Sequence, residues 1–151
     1  MKFVYISNHS LKPGTKIVAA NEQLVETFIK NLKKGASQFR YYDKRPVSCI
    51  HKHLLTIMIT DEFEMPMAYG HLEKEDDILW LGIAVGDDYL NKGFGKIIMK
   101  QLIDFAINKK ESMISLSVDD DNHIAQKLYI SFGFIKTSEF PGRYVFELKL
   151  I

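Results

Sequence analysis

The stretch ILWLGIAVGDDYLNKGFGKIIMKQLIDFAINK, residues 78–109, decides the fold. Residues 78–85 are apolar without a break, the pattern of a strand covered on both faces and therefore central in its sheet. Gly82 lies inside that run, where a glycine marks a bulge, a local distortion or a point at which a ligand or another backbone comes close. Beyond the turn, Phe94, Ile98, Leu102 and Phe105 recur at helical spacing, and Ile97, Met99, Ile103 and Ala106 widen the same face, which predicts a helix over about 93–109. Gly93 and Gly95 allow backbone geometry that a Cβ would obstruct. The amides of Asn91, Lys92, Gly93, Phe94, Gly95 and Lys96 can then converge on an anion at the helix N-terminus, where the helix dipole also favours it. Lys92 and Lys96 add positive charge. A tight strand-to-helix turn that binds nothing uses the same residues. The segment lacks the third glycine of a dinucleotide fingerprint and the Gly-Lys-Ser/Thr of a phosphate loop.

Toward the C-terminus, MISLSV (113–118) alternates as a strand, and Ile124, Ala125, Leu128, Tyr129 and Phe132 set out a helix from Asn122 to Gly133. GFIKTSEF (133–140) and RYVFELKL (143–150) read as strands joined at Pro141-Gly142. Toward the N-terminus, HLLTIMIT (53–60) and MAYGHLEK (67–74) read as a hairpin about DEFEMP (61–66). Leu24, Val25, Phe28, Ile29 and Leu32 predict an amphipathic helix, with Asn21 as its N-cap and Gly35 as its stop. QFRYYDKRP (38–46) has no period and reads as a loop or short helix. KFVYIS (2–7) reads as a strand, with a loop from Asn8 through Pro13-Gly14. The order of strand, helix, three strands, helix, strand, helix and two strands predicts an α/β fold: a central mixed sheet of about seven strands flanked by helices, in one domain spanning 1–151.

At 151 residues, 46% hydrophobic and 26% charged, the chain has the composition of a folded globular domain. A formal charge of +1 leaves no overall field for a nucleic-acid backbone or an anionic membrane, so neither is expected as a partner. The single cysteine, Cys49, fits a packed thiol in a reducing compartment. No apolar run approaches a membrane span and residues 1–10 carry no long apolar core, so the cytoplasm is the expected compartment.

Two segments together narrow the reading. LGIAVGDDYLNKGFGKIIMKQLIDFA (81–106) resembles motif A of the GNAT acetyltransferases, Gln/Arg-x-x-Gly-x-Gly/Ala, and NHIAQKLYISFGF (122–134) resembles their motif B. The order and separation agree, and the resemblance covers roughly 54–140. It implies direct transfer of an acetyl group from acetyl-CoA to an amine in a ternary complex, with no covalent acetyl-enzyme. Carried over, Ile83, Ala84 and Val85 would lie along the pantetheine arm through backbone hydrogen bonds, and an amide near Val85 would polarise the thioester carbonyl. The turn from Asn91 to Lys96 would hold the pyrophosphate. Asn122 would contact the cofactor, although an asparagine there is equally a helix cap. Tyr129 would protonate the departing thiolate. Leu90 stands where the family carries Gln or Arg, so that side-chain contact is missing and the amides must compensate.

The attacking amine needs a base. His71 and Glu73, two apart on one strand, share a face beside the central strand; His71 is favoured and Glu73 second, although both also fit ordinary polar positions. His51, His53 and Asp119 to Asp121 are weaker alternatives. His51 and His53 lack a convincing third ligand, so no metal is expected. Arg40, Lys44 and Arg45, interleaved with Phe39, Tyr41 and Tyr42, can grip a phosphate and stack on a ring, which suits a nucleotide-linked amino sugar. The expected partner is a small-molecule primary amine. Acetylation of a protein amine and a catalytically silent CoA-binding module remain alternatives, and a homodimer stays open.

Overall fold

The computed structural model describes residues 11–151. The strand expected at 2–7 lies outside them. From the first helix onward the expected order of elements holds, and ahead of it lies a strand at Lys16–Ala19 (β1) that the sequence did not predict. It is followed by α1 (Glu22–Asn31), β2 (Leu55–Thr60), β3 (Pro66–Glu75), β4 (Ile78–Val85), α2 (Phe94–Asn108), β5 (Met113–Asp119), α3 (His123–Ser131), β6 (Ile135–Phe140) and β7 (Arg143–Lys149). Among the described residues seven strands make one mixed sheet in the order β1-β2-β3-β4-β5-β7-β6. Among the described residues no helix is long and apolar enough to cross a membrane.

Each helix forms for reasons local to its sequence and is held by the face it buries. The Asn21 side chain accepts the Leu24 N–H at 2.8 Å and caps α1 as expected, and Val25 and Phe28 are sealed beneath it. Burying Phe28 contributes roughly 1.5–3 kcal/mol. The helix stops earlier than expected. Leu32 leaves helical backbone at ψ 137°, and Gly35 sits in a separate 3-10 turn, Lys34–Ser37. The role of Gly35 is spatial: a Cβ there would lie 2.8 Å from the Asp87 carboxylate, which accepts the Gly35 and Lys33 N–H groups. α2 lays Ile98, Met99, Leu102 and Ala106 into the main core against β2, β3 and β4. A smaller core of Val25, Phe28, Ile50, Met58 and Tyr69 fills the α1 face.

β4 is central, yet it is not covered on both faces as its apolar run predicts. It pairs with β3 along its whole length, from Ala68↔Val85 to Glu75↔Ile78, but with parallel β5 only at Trp80↔Ser115. Beyond that point the two strands diverge, and Gly82 to Val85 are half-buried along the opening. The unbroken β3–β4 register also corrects the expectation of a bulge at Gly82. What approaches Gly82 is the His71 ring of its cross-strand partner, whose Cε1 would lie 2.4 Å from an added Cβ.

Candidate functional site

The opening between β4 and β5 continues into a cleft of about 1230 Å³ that collects residues of both motifs. Its floor is Gly82 to Val85 of β4 with Ser117 to Asp119 of β5. Because β4 pairs with β5 only at Trp80, the backbone groups of 81–85 that face β5 have no ladder partner among the described residues, and unpaired strand edges of this kind hydrogen-bond an extended ligand. One end of the cleft meets the N-terminus of α2. Gly93 caps that helix at φ +82°, a conformation that costs an L side chain about 1–2 kcal/mol. It directs the chain so that the first-turn amides, which have no acceptors within the helix, open toward the cleft wall formed by Gly93, Phe94, Gly95 and Lys96. Asn91, at φ +62°, lines the same wall. Lys92 is exposed and does not line the cleft. Leu90 lines it with an apolar, 48% exposed side chain, so anion recognition here falls to the amides and to Lys96.

α3 forms the opposing wall. Asn122 caps it, accepting the Ala125 N–H at 3.2 Å, and lines the cleft as well. Tyr129 is buried between Phe134 and Phe146 but reaches the cleft, and its hydroxyl makes no hydrogen bond to any described residue. Burial pushes its phenol well above the usual range, so it stays protonated. It is therefore suited to donate a proton and unsuited to accept one.

The segment 38–53 contributes Gln38, Phe39, Arg40, Tyr41 and Arg45 to the cleft lining and forms its roof. Two polar ties hold it there. Arg40 makes a bidentate ion pair with Asp119 at 2.8 Å on both arms, which holds the carboxyl below its ordinary range. The Tyr41 hydroxyl donates to Glu73 at 2.6 Å and lies 2.8 Å from His53 Nε2. Arg40 is thus engaged, contrary to its expected role in gripping a phosphate. Arg45 stacks its guanidinium 4.2 Å from the Tyr41 ring, lines the cleft and has no carboxylate partner among the described residues. Lys44 is exposed and outside the lining.

His71 and Glu73 do share the cleft face of β3. His71 is 3% exposed, and burial holds its imidazole well below the ordinary value, so it is neutral. Its Nδ1 is 2.6 Å from the Tyr69 hydroxyl, itself 2.6 Å from that of Tyr42. His53, weaker on sequence grounds, joins them, with its ring stacked on that of His71 at 4.4 Å and 27°. His51 does not: it pairs with Glu22 at 2.8 Å outside the cleft.

His53, His71 and Glu73 bring ligand-type atoms within 4.8 Å of one another, a grouping absent from the sequence expectation. The arrangement does not suit an ion. An imidazole binds a metal in its own ring plane at about 2.0–2.1 Å, and two rings stacked at this separation cannot both hold one ion in plane. The Tyr41 hydroxyl also sits between Glu73 and His53. The sequence missed the Tyr41–Glu73 and Arg40–Asp119 ties because the partners lie 32 and 79 residues apart. Its one signal was the aromatic and basic density of 38–46.

Similar proteins share this architecture. An acetyltransferase of the GNAT family from Staphylococcus aureus Mu50 superposes with a TM-score of 0.78 at 16% identity, over 91% of this chain and 99% of that one. The ribosomal-protein-S18-alanine N-acetyltransferase of Escherichia coli gives 0.69 at 18% identity, over 90% and 94%. The yncA protein of Salmonella typhimurium, solved with its cofactor acetyl-CoA, gives 0.71 at 17% identity, over 91% and 94%. The profile of the acetyltransferase (GNAT) family matches residues 21–134, a span that contains both cleft walls, the split strands and the roof, and the chain belongs to that family.

Proposed function

We propose that the protein transfers the acetyl group of acetyl-CoA to the primary amine of a small molecule by direct attack in a ternary complex. The observation that carries this reading is the cleft itself. A strand edge without a ladder partner among the described residues runs through a cleft that is also lined by the first turn of α2, by Tyr129 and by the roof segment. Acetyl-CoA supplies the activated thioester. The Asn91–Lys96 turn would hold its pyrophosphate, and the edge of Ile83, Ala84 and Val85 its pantetheine arm, with a free amide near Val85 polarising the carbonyl. Tyr129 would protonate the leaving thiolate.

For the base, the geometry favours Glu73 over His71. Both face the acceptor end, but a deeply buried imidazole held neutral keeps an acquired proton poorly, whereas Glu73 is half-buried and already accepts a hydrogen bond from Tyr41. His71 would accept a hydrogen bond from the amine and orient it. The roof, tied down through Arg40 and Tyr41, supports a small acceptor over an extended peptide, and Arg45 is the cation left for an anionic group on that acceptor.

The test is a thermal melt with acetyl-CoA followed by a screen of primary amines for CoA release, starting with amino sugars and their nucleotide forms. At about 100 times its dissociation constant the cofactor adds roughly 2.7 kcal/mol to the native state. A raised melting temperature with release on small amines supports the reading. Release only on peptides moves the acceptor to protein amines. No shift at any concentration removes the cofactor assignment.

A further inference from the structure

The roof segment separates the cleft from a second cavity of about 630 Å³, lined by Glu22, His51, His53 and Thr56 among others. A continuous run of hydrogen bonds crosses between them. Glu73 and Tyr41 line the cleft; the Tyr41 hydroxyl is 2.6 Å from Glu73 Oε1 and 2.8 Å from His53 Nε2, and His53 Nδ1 is 2.7 Å from Thr56 Oγ1. His53 and Thr56 belong to the lining of the second cavity, where His51 and Glu22 form a polar couple at 2.8 Å. A tie needed only to anchor the roof would end at Tyr41 and Glu73. This one continues through a titratable ring that uses both nitrogens.

We propose that Tyr41, His53 and Thr56 form a proton-exit path that carries the acceptor's proton from Glu73 to the second cavity. The proposal rests on the reading of Glu73 as the base. In the resting arrangement the Tyr41 hydroxyl donates to Glu73 Oε1. As the amine attacks, its N–H bond breaks and the proton passes to the Glu73 carboxylate, which becomes a donor. The Tyr41 hydroxyl then turns to His53 Nε2. The carboxyl proton moves to the Tyr41 oxygen while the phenol proton moves to Nε2, and the imidazolium so formed releases its Nδ1 proton beside Thr56. Glu73 is again a carboxylate, and one proton has moved from the amine to the second cavity. The phenol is never ionised in isolation, because it gains one proton as it loses another.

The surroundings of His53 agree with transient protonation. Burial disfavours the charged ring, Glu73 favours it and Arg45 opposes it, while His71 stacks on one face and Tyr41 packs at a tilt. On the roof, Tyr42 packs edge-on against Tyr41 with its phenol pushed up by burial, and Cys49 lies 3.9 Å from the Tyr41 hydroxyl with its thiol pushed up by burial and neutral.

The test uses the best acceptor from the amine screen and follows CoA release. His53→Gln keeps a hydrogen-bonding side chain of similar size but cannot be protonated. It should lower kcat about tenfold or more with both KM values unchanged, most at low pH and progressively less as pH rises and solvent takes the proton directly. In His53→Ala, substituted imidazole buffers should restore kcat to an extent that follows buffer pKa, which a ring serving only as packing would not produce. Thr56→Val should lower kcat in the same pH-dependent manner and guards against a misfolded histidine variant. A wild-type kcat in His53→Gln, or a loss through KM alone, overturns the path. If Glu73→Gln is inactive while His53→Gln is not, the proposed function stands and the path falls. A wild-type protein that acetylates no amine takes down both.

Discussion

Tyr129 owes its chemistry to what surrounds it. Seated between two phenylalanines, it lacks the solvation that would stabilise a phenolate, so its proton is available at any working pH. Tyr129→Phe should lower kcat by about 10²-fold and leave the acetyl-CoA melt shift intact; steady-state rates beside a melt check this, and an unchanged kcat removes Tyr129 from the reaction. Gly82 makes a complementary case. An added methyl would meet three atoms of the His71 ring within 3.0 Å, so Gly82→Ala should cost about 1–3 kcal/mol in a denaturant melt. Most of that should return when His71→Ala is added. The place of Tyr129 on a cleft wall was legible because its segment, NHIAQKLYISFGF, resembles the family's second motif. The partnership of Gly82 with His71 was not, because cross-strand register is set by the hairpin that brings the two strands together.

At the scale of elements, amphipathic period and apolar run sufficed for α1, α2, α3, β2 to β5 and β7, since each of these buries a face large enough to impose its pattern, whereas β6, exposed along nearly its whole length, was marked by the Pro141-Gly142 turn that follows it. β1 escaped because four residues are too few to show a period, and its pattern of partial exposure shows none. The stop of α1 was misread because Gly35 serves the Asp87 carboxylate and not the helix. Burial raises the Asp87 carboxyl, but the backbone amides of Gly35, Lys33 and Lys34 outweigh it and hold the group below its ordinary value. At the start of α2, Gly93→Ala should destabilise the free protein by about 1–2 kcal/mol and weaken acetyl-CoA binding. Melts with and without cofactor separate the two effects, and a variant as stable as wild type would show that this turn has relaxed to another backbone.

Over the whole molecule, the Arg40–Asp119 pair joins the roof to the far strand of the cleft and makes that closure sensitive to acid. Arg40 first, through its hydrogen bond and its charge, holds Asp119 below the usual carboxylate range. A depressed pKa contributes stability above the unfolded value of about 4 and loses it as pH falls through the folded one. Melting temperature followed from neutral pH downward should fall below about pH 4, and less steeply in Asp119→Asn; identical acid limbs would show that the pair contributes nothing. The sheet has a related property. Four strands on one side and three on the other meet at the single register pair Trp80↔Ser115, so past it the facing amides of residues 81–85 and 117–119 answer to no partner. Deuterium should enter those amides within the earliest times in the free protein and be excluded from residues 81–85 once acetyl-CoA is bound, so that the ligand serves as a missing strand and the seam between the half-sheets becomes the most cofactor-responsive part of the backbone.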